Sequence, residues 1–374
     1  MKYYIIAGEA SGDLHGSNLM HALKKEDEAA EFRCWGGDLM CAAGGEIVKH
    51  YKELAFMGFV EVVMNLRTVL GNIKHCKEDI QKYRPDAVIL IDYPGFNMRI
   101  GPFVKSLGIK VYYYISPQIW AWKQNRGYQL KKWVDRMFVI LPFEREFYKK
   151  FGMDVNYVGH PLLDAIHKRD NSEGRKTQLR KALNLDDKPI VAVLPGSRKQ
   201  EISMMLPIML KQSSFFKNHQ FVVAAAPSFD KEFYVQFLKD YPNAKMVSNK
   251  TYDLLELATA AMVTSGTATL ETALFQVPEV VCYKGSFISY QIAKRLIKTE
   301  YISLVNLIMN EEIVKELIQS DLSEKLLRVE LGKLLEDNSY RVKMLSNFEL
   351  LIQKLGGGGA SKKTAQLMVA DLKS

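Results

Sequence analysis

With 374 residues the chain has room for two domains rather than one or three. Its 48% hydrophobic and 25% charged content is that of an ordinary globular protein and excludes disorder over most of the length. A formal charge of +9 fits nucleic acid, an anionic membrane surface or polyanionic small substrates. No familiar nucleic-acid motif is present, and the basic residues fall in short groups such as Lys123 to Lys132 and Lys294 to Lys298. Nucleic acid is therefore set aside, leaving a membrane surface, phosphorylated substrates or an indifferent basic surface. Cys34, Cys41, Cys76 and Cys282 lack metal or redox spacing, and the seven histidines are scattered. The expectation is a reducing compartment with no built-in metal and no cofactor.

Met1-Lys2 runs straight into the apolar stretch Tyr3 to Ala7, a strand without the features of a signal peptide. No apolar run approaches the ~18 residues of a spanning helix, so a cytosolic protein, free or resting on a membrane, is expected. Further strands are read at Ala87 to Ile91, Lys110 to Ile115 and Met137 to Leu141. Helices are read at Ser17 to Lys25, Val62 to Tyr83, Gly101 to Ser106 and Glu144 to Phe151. Such alternation predicts a parallel, doubly wound sheet. A polar stretch, Lys168 to Arg175, marks a linker, and the alternation restarts with strands at Ile190 to Leu194, Phe221 to Ala225, Ala261 to Thr264 and Val280 to Tyr283. The tail reads as a helix from Ser339 to Leu355, four glycines acting as a hinge or flexible joint, and a helix from Ala360 to Leu372. That last helix would reach back over the first domain or into a partner chain, which leaves a homodimer open. The predicted domains are 1–165 joined by 345–374, and 166–344. Two such halves would face each other across a cleft, with ligands beyond the carboxyl ends of the strands.

Several turns carry chemistry. Gly8-Glu9-Ala10-Ser11-Gly12-Asp13 joins a strand to a helix, and small residues such as Ser11 and Gly12 let backbone N–H groups approach a ligand. Asp13 either caps that helix or faces the ligand, whereas Glu9 is suited to accept hydrogen bonds from sugar hydroxyls. Asp92 ends a strand and is a candidate general base, against the alternative of a turn-forming residue. Asn97 either orients a ligand or makes its own turn. Trp120 and Trp122, with Lys123 and Arg126, suit a sugar ring, an acyl chain or lipid headgroups, unless the indoles pack in the core. His160 is a substrate contact or a structural hydrogen-bonding residue. Gly196, Ser197 and Arg198 suit a phosphate, as do Ser265, Gly266 and Thr267 at the start of a helix. Glu271, one turn on, would hold a ribose diol or complement the helix dipole. Phe56 to Leu66 is too apolar for an ordinary amphipathic face and is either a buried helix or a patch dipping into a membrane.

Taken together, Gly8 to Asp13, Ser116-Pro117-x-x-Trp120-Ala121-Trp122, Leu141-Pro142-Phe143-Glu144, Gly159-His160, Leu194 to Arg198 and Ser265 to Ala268 resemble the lipid-A-disaccharide synthase family in order and spacing. Lys294 to Thr299 and Ser303-Leu304-x-Asn306-Leu307 extend the match over nearly the whole chain. The resemblance implies a GT-B α/β fold of two Rossmann-like domains with an interdomain active-site cleft. It implies an inverting transfer from UDP-2,3-diacylglucosamine to 2,3-diacylglucosamine 1-phosphate, without a catalytic metal, at the cytosolic face of the inner membrane. By position Asp92 would be the base, Arg198 with Gly266 and Thr267 the diphosphate site, and Glu271 and Asn306 nucleotide or sugar contacts. Phe56, Met57, Phe59 and Val63 would then meet acyl chains or the membrane. Many members carry a second acid where this chain has Gly95, which narrows the base onto Asp92. Two rivals stand beside this reading: a UDP-N-acetylglucosamine 2-epimerase or a related sugar-nucleotide enzyme, and a non-catalytic nucleotide-binding membrane adaptor. With phosphate chemistry on the second domain, the Gly8 turn is expected to face sugar hydroxyls.

Overall fold

The computed structural model describes residues 1–54, 66–166, 172–226, 229–286 and 299–374. The chain divides into two compact units, Met1–Asp164 with Leu355–Ser374, and Ala165–Lys354. In the first unit, β1 (Lys2–Ala7), β2 (Glu31–Gly36), β3 (Glu46–His50), β4 (Ala87–Ile91), β5 (Lys110–Tyr114), β6 (Arg136–Val139) and β7 (Asn156–Tyr157) form a parallel sheet. Its order is β3-β2-β1-β4-β5-β6-β7. In the second unit, β8 (Ile190–Leu194), β9 (Gln220–Ala225), β10 (Ala244–Ser248), β11 (Ala258–Thr264), β12 (Glu279–Tyr283) and β13 (Lys315–Ile318) form another, ordered β10-β9-β8-β11-β12-β13.

The central strands are unbroken apolar runs because helices cover both of their faces. Every residue of β4 and of β8 is buried, and each large apolar side chain so removed from water contributes about 1.5–3 kcal/mol. The sequence reading missed β2, β3, β7, β10 and β13. Four of these run along sheet edges, and all but the two-residue β7 carry charged residues among their apolar ones. It also began the first helix too late. That helix spans Ala10–Glu26 and includes Gly12 and Gly16, ordinarily poor helix formers. Gly16 is required there by packing, since a Cβ would lie 2.7 Å from the Met40 sulfur.

The last helix, Ala360–Lys373, packs on the Ala10–Glu26 helix. Asp371 fastens it, accepting from Tyr112 Oη at 2.7 Å and Arg136 Nε at 2.6 Å. The four glycines before it, expected to serve as a hinge or flexible joint, form a shaped turn. Gly356 and Gly359 adopt left-handed φ of +78° and +97°, Gly359 donates its N–H to the Asp164 carboxylate, and the Gly357 carbonyl lies against Gly159.

Candidate functional site

In each sheet, strand order reverses between one pair of strands, and open parallel sheets bind ligands beyond the carboxyl ends of such a pair. In the first unit the pair is β1 and β4, with Ala7 opposite Ile91. The chain leaves these strands as the Gly8 and Asp92 turns. In the second it is β8 and β11, with Leu194 opposite Val263, and the turns are Gly196–Arg198 and Ser265–Thr267. Topology thus selects four of the turns that the sequence singled out.

In the first unit the turns are built under strain. Asp92 and Tyr93 both hold left-handed φ, +43° and +47°, and so does the β-branched Ile115 at +62°. Such conformations persist only where the surroundings over-determine them, and they gather at functional sites. The bracing is visible. The Asp92 N–H donates to the Ile115 carbonyl at 3.2 Å, and the Asp92 carbonyl accepts from Tyr113 Oη at 2.6 Å and Asn97 Nδ2 at 2.7 Å. Asn97 is fully buried, so it holds the turn; of its two open readings the structure gives the internal one. Gly8 is needed because a Cβ would sit 2.4 Å from the Tyr93 ring. Burial, then the negative charge of Glu9, push the Asp92 carboxyl up to about 7 against the opposing Tyr93 N–H. Glu9 and Ser11 are exposed and Gly12 is buried. Asp13 caps a helix, but not its own: it accepts from the N–H groups of Gly37 (2.8 Å), Leu39 (3.1 Å) and Met40 (3.0 Å) at the start of the Asp38–Ala42 helix. Gly95 is exposed with open space around it, so no crowding demands glycine there.

Beside this edge lies an acid that sequence reasoning noticed only as part of a motif. Glu144 is buried and accepts from Ser116 Oγ and from the N–H groups of Ile140 (3.1 Å) and Leu141 (2.8 Å). Burial outweighs these bonds and raises its carboxyl to about 7. Trp120 is buried, its ring edge-on to Phe143 at 5.1 Å. Its indole therefore packs inside the unit and is not presented to a sugar, whereas Trp122 is exposed. His160 is buried, its Nδ1 accepting from the Leu162 N–H at 3.3 Å. Burial and then His15 drive it down to about 3, so it is a neutral interior group rather than a substrate contact.

In the second unit Gly196 takes φ +105° and abuts Thr264, a residue absent from the sequence-based set. Ser197 and Arg198 follow, Arg198 with its side chain 63% exposed and its Nη1 3.0 Å from Glu201. Gly266 (φ +139°) precedes the Thr267–Leu274 helix with no side-chain cap and open space where a Cβ would stand. The first N–H groups of that helix are thus open to an anion. Ser265 instead donates to the Ile302 carbonyl at 2.9 Å. Glu271 accepts from Tyr252 Oη at 2.8 Å and is raised by burial. Asn306 is fully committed inside: Nδ2 donates to Val314 and Glu316, and Oδ1 accepts from the N–H groups of Ile313 and Val314. That saturation corrects its expected role as a ligand contact. Phe56, Met57, Phe59, Val63 and the Lys294 to Lys298 group lie outside the described residues. Among the described residues, no group of three His, Cys, Asp or Glu side chains is placed to hold a metal ion, and no helix is long and apolar enough to cross a membrane.

A family model described as lipid-A-disaccharide synthetase matches residues 3–370. A lipid-A-disaccharide synthase of Trichlorobacter lovleyi is 38% identical over 372 residues, covering 98% of this chain and 96% of the relative. One from Syntrophus aciditrophicus is 39% identical over 375 residues, 99% and 97%. Among solved structures, the UDP-GlcNAc 2-epimerase of Neisseria meningitidis bound to UDP-GlcNAc superposes with a TM-score of 0.70 at 13% identity, over 99% of this chain and 100% of that one. The glycotransferase of kitacinnamycin does so at 0.65 and 12%, over 99% of each. These structural likenesses establish the two-domain Rossmann-like GT-B fold, which epimerases and glycosyltransferases share; the sequence relatives separate the two.

Proposed function

Because the chain belongs to the lipid-A-disaccharide synthase family, we propose that it transfers the sugar of UDP-2,3-diacylglucosamine to 2,3-diacylglucosamine 1-phosphate. The products are a β-1,6-linked disaccharide 1-phosphate and UDP. The observation that carries the mechanism is Asp92, a carboxyl held near neutrality on a strained and fully braced turn at the switch of the first sheet. A sugar hydroxyl is too weak an acid to ionise unaided, so Asp92 takes the proton of the acceptor's 6-hydroxyl as that oxygen attacks the anomeric carbon. The bond from that carbon to the UDP oxygen breaks with inversion. Arg198 and the open N-terminus of the Thr267–Leu274 helix meet the charge that develops on UDP. The acylated, phosphorylated substrates and the charge of +9 favour work at the cytosolic face of the inner membrane.

The test is radiolabelled donor supplied with and without the phosphorylated lipid acceptor. Disaccharide should form only when acceptor is present. Epimerised UDP-sugar formed without acceptor would sink the transferase reading, and binding of UDP with no turnover would leave only a binding protein. Arg198→Ala should weaken UDP binding by roughly tenfold to a hundredfold, the worth of a hydrogen bond to a charged group. Unchanged UDP affinity by calorimetry would remove Arg198 from the diphosphate site.

A further inference from the structure

We propose that Lys123 and Arg126, carried on the ring of Trp122, form a clamp for the phosphomonoester of the acceptor. The inference rests on the transferase reading above and adds to it where the acceptor's charge is held. Trp122 is 39% exposed, in contrast to buried Trp120 two residues earlier. The Lys123 ammonium lies 4.6 Å and the Arg126 guanidinium 5.5 Å from its ring centroid. Among the described residues neither cation has a carboxylate partner, whereas Lys105, Lys110, Arg136 and Lys149 in the same unit all do. An unpaired Arg beside an unpaired Lys supplies a planar fork and a point charge, the pair of donors a dianionic phosphate takes. The indole limits the orientations of both cations before any ligand arrives, which reduces the ordering cost of binding.

The loop that bears them is fixed at both ends. It leaves β5 at Ile115, whose carbonyl holds the Asp92 N–H. Gln124 Nε2 donates to the Trp120 carbonyl at 2.9 Å, and the Arg126 N–H donates to the Lys123 carbonyl at 3.0 Å. Lys123 itself bends back at φ +51°. The same loop therefore braces the candidate base at its start and presents two free cations at its end. An acceptor with its hydroxyl at Asp92 and its phosphate on this loop would be held at two points within one unit.

Calorimetry and kinetics in detergent micelles decide the matter, using diacylglucosamine 1-phosphate and its dephosphorylated form. Wild type should bind the phosphorylated acceptor in the absence of donor and prefer it over the dephosphorylated form. Lys123→Ala with Arg126→Ala should weaken that binding, and raise its KM, by about tenfold to a hundredfold, abolish the preference, and leave UDP affinity unchanged. Lys123→Arg should retain most of the preference. If the double variant keeps the wild-type preference, the clamp is wrong. If it loses binding to phosphatidylglycerol vesicles while KM in micelles stays the same, the cations serve membrane headgroups and the clamp is also wrong. Acceptor binding with no disaccharide formed would overturn the transferase reading and leave the clamp standing.

Discussion

Asp92→Asn should lower kcat by about 10²–10⁴ without unfolding the protein, the usual worth of a positioned general base. The backbone bracing of the turn runs through the Asp92 N–H and carbonyl, which the amide preserves, so geometry survives while the proton acceptor is lost. The wild-type pH profile supplies a second check. A carboxyl raised to about 7 is protonated and idle below that pH, so kcat/KM should climb as pH rises through about 7. Because its folded value lies above the ordinary 3.8 of a free aspartate, stability is lost as pH rises from about 4 to about 7, and the loss is complete above that. The Asn variant should consequently be the more stable protein at pH 8, a stability–function trade-off. Near-normal turnover, or an acid limb unmoved from pH 4, would remove Asp92 from the reaction.

Between pH 7.5 and pH 5 two buried histidines should draw stability from the first unit while its two raised carboxyls return it. His15 is lowered to about 4, by burial against an opposing pull from Asp164, and His160 to about 3, by burial and then His15. Both lie below the 6.5 of an unfolded chain. Their stability is complete above pH 6.5 and drains away as pH falls from 6.5 toward 4, where the unfolded chain gains protons that the folded one refuses. At pH 5 the loss is about 2 kcal/mol for each histidine, from 1.5 units at 1.36 kcal/mol per unit. Trp35, Trp120, Trp122 and Trp133 all belong to the first unit, so tryptophan fluorescence reports its unfolding alone. The raised carboxyls of Asp92 and Glu144 regain stability over the same range and oppose the histidines, so wild-type urea midpoints by this signal should change little between pH 7.5 and pH 5, whereas His15→Gln with His160→Gln should make them rise as pH falls. Equal slopes for variant and wild type would mean that the histidines are already solvated.

Much of this was legible in the chain. Ala87 to Ile91 and Ile190 to Leu194 are apolar without alternation, which only a strand covered on both faces requires, and both are strands with those bounds. The motifs at Gly8, Asp92, Gly196 and Ser265 likewise fall on the carboxyl ends of strands because small and polar residues break apolar runs where the chain turns. The family, too, follows from motif order along the chain.

Other assignments were beyond any one-dimensional reading. Trp120 and Trp122 are two residues apart and chemically alike, yet one is buried against Phe143 and the other carries two cations, since the loop's path decides which indole meets solvent. Asn306 and Asn97 read as ligand-facing amides, but the whole Asn306 amide and the Asn97 Nδ2 are taken up by groups the fold brings near. Asp13 caps a helix that begins 25 residues later in the chain. Composition and pattern determined what each segment had to bury, and hence strands, fold class and family. Which polar group stays free for a ligand depends on which partners the tertiary structure delivers to it, and sequence order does not encode that directly.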